Sequence, residues 1–139
     1  MSTNRLAVDL TVSFPDFTLG VERTFTLGGI TALFGPSGSG KSTLLRAIAG
    51  FERTGIGRIA LDEEAWLDST ARLFVPAHRR PVGFMFQDAR LFPHLDVAGH
   101  LRFAALRAGD APRVTFDDVV AALDLAPLLS RRTSTLSGG

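Results

Sequence analysis

The chain has no cysteine, which excludes both a disulfide framework and a thiolate metal site. No stretch approaches the roughly 18 uninterrupted apolar residues of a membrane span, and the opening residues, MSTNRLAVDL, lack the apolar core of a secretory signal. An excess of one charge is also missing. The formal net charge is +1 and no two arginines are joined by a third, so charge argues neither for nor against a polyanionic partner. Lysine is the scarcest charged residue. Of the 15 basic residues, every one is arginine except Lys41. Wherever a surface could take either residue this sequence takes arginine, so position 41 asks for a compact ammonium rather than a planar fork.

What remains is ordinary for a folded protein: 139 residues, 45% hydrophobic and 21% charged, enough for one domain with a sizeable core. LAVDLTVSF (6–14) and VERTFTL (21–27) alternate as half-buried strands do. ITALF (30–34) is short, apolar and preceded by two glycines, the pattern of a strand buried on both faces. A glycine-rich loop follows, and KSTLLRAIAG (41–50) reads as a helix with Leu44, Leu45, Ile48 and Ala49 on its apolar face and Gly50 as its stop. Further on, GIGRIALDEEAWLD holds a short strand with polar turns, STARLFVPAHRR reads as a loop or small β insertion, and PVGFMFQ (81–87) as another apolar strand. Asp96 is placed to cap a helix from about Val97 to Ala108. Thr115 with Asp118 resembles a capping box opening the helix FDDVVAALDL.

Residues 35–42 meet G-x-x-x-x-G-K-[ST] at every required position: Gly35, Gly40, Lys41 and Ser42. The chemistry behind the pattern is anion binding. Gly35, Gly38 and Gly40 let the backbone turn its N–H groups onto phosphate oxygens, and the following helix adds its unpaired amides. Lys41 supplies a point charge for the terminal phosphates and Ser42 a hydroxyl for Mg²⁺. The loop GPSGSGKST, comprising Gly35, Pro36, Ser37, Gly38, Ser39, Gly40, Lys41, Ser42 and Thr43, is thus the candidate ATP site. The competing reading, a flexible glycine-serine turn, is disfavoured by the strand pattern before it and the helix pattern after it.

Three further stretches resemble the ABC-type ATPases. LSGG (136–139) is similar to their signature, Gln87 to their Q-loop glutamine, and GRIALD (57–62) to a recurring G-x-I-x-x-D of their antiparallel β subdomain. LFGPSGSGKSTLLRAIAGFERTGIGRIALD and HRRPVGFMFQDARLFPHL look most like the ATP-binding subunits of bacterial molybdate importers; importers of sulfate, phosphate or sugars share much of the pattern. This resemblance implies an α/β P-loop NTPase of ABC type, with an antiparallel β subdomain and a helical subdomain. It divides the chain into 1–50 (β strands, P-loop and first helix), 51–87 (β subdomain to the Q-loop) and 88–139 (helical subdomain to the signature).

The resemblance further implies ATP and Mg²⁺ as cofactors, with Gln87 acting on Mg²⁺ or the attacking water and Ser42 as a second metal ligand. It implies a homodimer in which Ser137 and Gly139 reach the γ-phosphate held by the partner chain. Transmembrane permease subunits would meet Asp88–His94, a periplasmic substrate-binding protein would act indirectly, and the subunit would lie peripherally on the cytoplasmic face of the bacterial inner membrane. An aromatic residue upstream of the loop would stack on adenine, Phe14 first and Phe17 second. In that family the Walker B aspartate, the catalytic glutamate and the switch histidine all follow the signature, so these 139 residues stop short of the Walker B strand. A chain of this extent is expected to bind ATP weakly, hydrolyse it negligibly, aggregate, and leave 30–34 with exposed apolar surface. The alternative function is a non-catalytic nucleotide-binding switch or scaffold.

Other residues attract attention without carrying chemistry. IALDEE (59–64) imitates a Walker B strand but comes too soon after the loop and reads as a solvated turn. HRRP (78–81) reads as a solvated loop rather than an anion patch, Trp66 as packing, and His78, His94 and His100 have no ligand-like spacing. His100 stands where those relatives often carry Asn.

Overall fold

The structure, a computed structural model, describes residues 4–88, 90–107 and 114–136. It divides into two compact units, Met1–Phe84 and Met85–Gly139.

The first unit is built on one sheet. Strands β1 (Arg5–Phe14), β2 (Phe17–Thr26), β3 (Ile56–Leu61), β4 (Glu64–Asp68) and β5 (Leu73–Phe74) lie in the order β2-β1-β3-β4-β5, and each pairing is antiparallel. The alternation of β1 puts Leu6, Val8, Leu10 and Val12 on one buried face, as the period of two demands. Directly opposite residues share that face, so Val12 meets Leu19 on β2 and Val8 meets Ile59 on β3. The α-helix α1 (Lys41–Ala49) closes the core with Leu44 and Ala47, alongside Trp66 and Leu67 from β4. Trp66 does pack inside, 2% exposed. The run after β3 is a turn as expected, with Asp62 at φ 48° and its carboxylate accepting the Arg5 N–H at 2.8 Å.

Three strand expectations need correction. The second strand starts at Phe17, not residue 21, because its ladder with β1 continues to the pair Phe14–Phe17 across a two-residue turn. Residues 30–34 form no strand, and Ile30 and Phe34 are 101% and 90% exposed. Residues 81–87 form none either, with Val82 and Met85 exposed. Both runs have the apolar side chains of buried strands, but a strand is defined by its ladder, and no described strand pairs with either of them.

At Gly57 the sheet makes a close approach that only glycine permits. The residue has φ 134°, and a Cβ there would run into the carbonyl oxygen of Asp9 on the neighbouring strand. Gly57→Ala is expected to cost at least about 2 kcal/mol, since backbone strain adds to a clash that no side chain can relieve. Urea denaturation followed by circular dichroism reads it directly.

The second unit contains α2 (Val97–Ala105) and α3 (Phe116–Ala122). Asp96 caps α2, its carboxylate accepting the Gly99 N–H at 2.7 Å. The helix ends at Ala105, with Leu106 as its C-cap, short of the expected Ala108, which itself lies outside the described residues. Thr115 and Asp118 form a full capping box: the Thr115 hydroxyl accepts the Asp118 N–H at 3.2 Å, and Asp118 Oδ2 accepts the Thr115 N–H at 2.9 Å. The helix is shorter than expected, giving way after Ala122 and reaching left-handed backbone at Asp124.

The Thr115 hydroxyl and N–H, both donating to Asp118, hold its carboxyl below the ordinary aspartate value. A depressed native value means that this contribution is full above the unfolded value, about 3.9, and disappears as pH falls through the native one. Acid unfolding of the second unit should therefore shift to higher pH in Asp118→Asn, which a pH titration of α3 amide signals would detect.

Candidate phosphate-binding site

The loop between residue 34 and α1 is shaped by its glycines and closed by its lysine. Lys41 Nζ donates to the carbonyl oxygens of Gly35 at 2.9 Å and Pro36 at 2.6 Å, and to Ser39 Oγ at 3.3 Å. All three ammonium protons are thus turned back across the loop. A guanidinium is too wide to fold back in this way onto the carbonyls of Gly35 and Pro36, which gives the lone lysine its physical reason.

Gly40 is the N-cap of α1, with φ 87° and ψ 8°. It brings no side chain to the helix start, no side-chain hydrogen bond caps the first turn, and no acidic residue lies in that turn. Helices α2 and α3 cap themselves with Asp96 and with Thr115–Asp118. The first-turn amides of Lys41, Ser42 and Thr43 are therefore left for an external acceptor, with the positive end of the helix dipole behind them. Ser42 is exposed beside them. Together these groups can do one thing well, which is to hold an anion.

A ring packs against the same junction. A Cβ on Gly40 would lie 3.0 Å from Phe17 Cζ and 3.0 Å from Leu19 Cδ1, so the β2 strand backs the loop closely. Phe14 stacks on Phe17 with ring centroids 6.4 Å apart and planes 16° from parallel. The two aromatic candidates thus form one partly exposed pair, with Phe17 nearer the loop. Gln87, the candidate catalytic residue and metal ligand, belongs to the second unit. Ser137 and Gly139 lie outside the described residues. Among the described residues no group of three or more His, Asp or Glu could hold a metal ion. A Mg²⁺ held by the Ser42 hydroxyl would take its other oxygens from phosphate and water, the usual pattern for this ion, and the neutral, exposed hydroxyl fits that arrangement.

The loop expectation for HRRP fails at one residue. Arg79 is exposed, but Arg80 is 5% exposed and donates to four main-chain carbonyls in the first unit: Val75, Ala47, Ile48 and Trp66. Burial draws its guanidinium below the ordinary arginine value. Nothing in the four letters marks which arginine turns inward. The signal lies in distant orphan carbonyls.

His100 also gains a structural role. The Phe92 N–H lies 2.9 Å from its Nε2, the rings of the two residues stack at 5.3 Å, and the Thr133 hydroxyl donates to the Phe92 carbonyl at 3.0 Å. An asparagine amide could serve the same main-chain group. Among the described residues no helix is long and apolar enough to cross a membrane.

Comparison with known proteins agrees with this geometry. Residues 19–139 match the family described as ABC transporter. A molybdenum import ATP-binding protein, ModC, of Methylococcus capsulatus is 49% identical over 128 residues, covering 92% of this chain and 35% of that protein. The ModC of Thiobacillus denitrificans is 48% identical over 129 residues, again covering 92% and 35%. That of Saccharophagus degradans is 46% identical over 141 residues, covering 100% of this chain and 38% of that protein. The chain thus spans little more than a third of the length of these relatives. The phosphate-type loop, the antiparallel sheet behind it and the match over residues 19–139 agree: the chain belongs to the ABC transporter family.

Proposed function

We propose that the chain binds Mg-ATP through residues 35–43 and, as part of an ABC subunit, helps to hydrolyse it to power import of an oxyanion, molybdate before sulfate. The observation that carries this reading is the uncapped start of α1 behind a lysine-closed glycine loop. The names of the relatives support the choice of molybdate.

In this reading the amides of the loop and of the first turn take the β- and γ-phosphate oxygens. Lys41 exchanges its bonds to the Gly35 and Pro36 carbonyls for bonds to phosphate, so the ammonium remains satisfied with and without nucleotide. Ser42 holds Mg²⁺, which spreads the phosphate charge when bound. Gln87 orients the attacking water or completes the metal shell, and Phe14, backed by Phe17, offers a face to adenine. Ser137 and Gly139 complete the site of a second copy. The segment Asp88–His94, whose Phe92 is bonded by His100 and Thr133, meets a membrane-embedded permease on the cytoplasmic face, and a periplasmic binding protein delivers the anion to that permease. Closing two copies on ATP and releasing them after hydrolysis supplies the two-state element that transport requires.

The test is the molybdate dependence of hydrolysis. With the permease and binding protein in lipid vesicles, ATP turnover by the subunit should rise on adding molybdate and not on adding sulfate. Equal stimulation by both anions would remove the substrate assignment, and tight ATP binding without turnover would favour the switch or scaffold function.

A further inference from the structure

Arg80 is the most completely engaged buried charge in the described chain. Its Nη1 donates to the last carbonyls of α1, Ala47 at 2.8 Å and Ile48 at 2.6 Å. Nε donates to Val75 at 2.8 Å and Nη2 to Trp66 at 3.2 Å. The guanidinium also lies over the rings of Trp66, 5.6 Å from its centroid, and Phe74, at 5.4 Å. No carboxylate pairs with it among the described residues. The backbone accommodates it: Gly50, with φ 83°, ends α1, and a Cβ there would lie 2.8 Å from both Arg80 Nε and the Ala77 nitrogen.

A cation at the C-terminal end of a helix is favourable in itself, but a lysine would supply that. The fork does something more, because its separate nitrogens bond the end of α1 on one side and β4 with the segment after β5 on the other. The helix is thereby fixed in direction against the sheet, and α1 is the helix whose first turn bears Lys41, Ser42 and Thr43. Helices are stiff over nine residues, so a tilt at Ala47–Ile48 displaces the amides at the other end.

We propose that Arg80 is a positioning residue for nucleotide binding, whose guanidinium fork clamps the C-terminal end of the P-loop helix to the sheet and so sets the aim of the phosphate-binding amides. The proposal rests on the ATP-binding reading of residues 35–43. It distinguishes the fork from the charge, and local aim from global stability.

The test measures Mg-ATP affinity by calorimetry for the chain and for Arg80→Lys, Leu6→Ala and Lys41→Ala, at a temperature where circular dichroism shows each folded. Arg80→Lys keeps the charge and should weaken binding by roughly three- to thirtyfold, with shifted amide signals at 40–43. Leu6→Ala, a core truncation on β1 whose cross-strand partners Phe25 and Leu61 take no part in the clamp, should lower stability while leaving affinity within about twofold. Because coupling is reciprocal, saturating Mg-ATP should also slow hydrogen exchange at the Arg80 Nε–H of the unsubstituted chain more than at the Leu10 amide. That measurement stands even where a variant fails to fold. Unchanged Nε–H exchange, or a folded Arg80→Lys with parental affinity, overturns the proposal. If Lys41→Ala binds as the parent does, the reading beneath it fails instead.

Discussion

Lys41→Ala is expected to weaken Mg-ATP binding by about a hundredfold or more, the loss of one charge-assisted contact to phosphate together with the loop closure that the same ammonium maintains. The two effects can be separated. In the chain alone the ammonium holds the Gly35 and Pro36 carbonyls and Ser39 Oγ, so alanine should broaden or shift the loop amides even without nucleotide. Lys41→Arg keeps the charge but not the slim stem, and should recover little of the affinity. Equilibrium titration with a fluorescent ATP analogue measures the loss. An affinity within a few fold of the parent would place the phosphates elsewhere.

Gly40→Val should be the most damaging change in the loop. Its left-handed backbone disfavours any L side chain, most of all a β-branched one. The new Cβ would also press on Phe17 Cζ and Leu19 Cδ1 at 3.0 Å, and Leu19 belongs to the buried core. Strain and steric conflict together should cost about 3 kcal/mol or more of stability. Because Gly40 is also the N-cap of α1, nucleotide affinity should fall with it. Gly38→Ala is the informative contrast. Its φ of 80° carries strain, but a Cβ there meets nothing within 4 Å, so it should lose less stability. Thermal melts with and without Mg-ATP rank the two.

The glycine loop and the helix after it could be read from residues alone because their requirements are local. A left-handed angle, a missing Cβ and a short run of helix formers are each written at the position that uses them. The same is true of Asp96 and of Thr115 with Asp118, whose caps act within one turn. The half-buried alternation of β1 was equally plain, since a period of two needs no knowledge of the partner strand. Residues 30–34 and 81–87 show the opposite case. Their apolar character says that they suit burial but not what would pair with them, and without a ladder neither is a strand. Arg80 departs from the solvated-loop pattern for a related reason: its partners lie on Ala47, Ile48, Trp66 and Val75, and main-chain carbonyls leave no trace in composition.

The family resemblance and the local pattern of a short strand with a polar turn agree on GRIALD, which falls on β3 and the turn after it. The electrostatic logic of the site is complete without that resemblance. One ammonium, one uncapped helix start and a loop free of carboxylates leave the region between Gly35 and Thr43 in need of negative charge. Arg80, at the far end of the same helix, gives that arrangement its rigidity.

The most direct test follows the backbone amides of the chain by nuclear magnetic resonance during a titration with Mg-ATP. The amides of residues 37–43 should move first and farthest, with Lys41, Ser42 and Thr43 shifted towards the values of strong hydrogen bonds, and inorganic triphosphate should move the same set. Saturable binding that leaves those amides in place, with its largest shifts in β3, β4 or the second unit, would contradict phosphate capture by this loop.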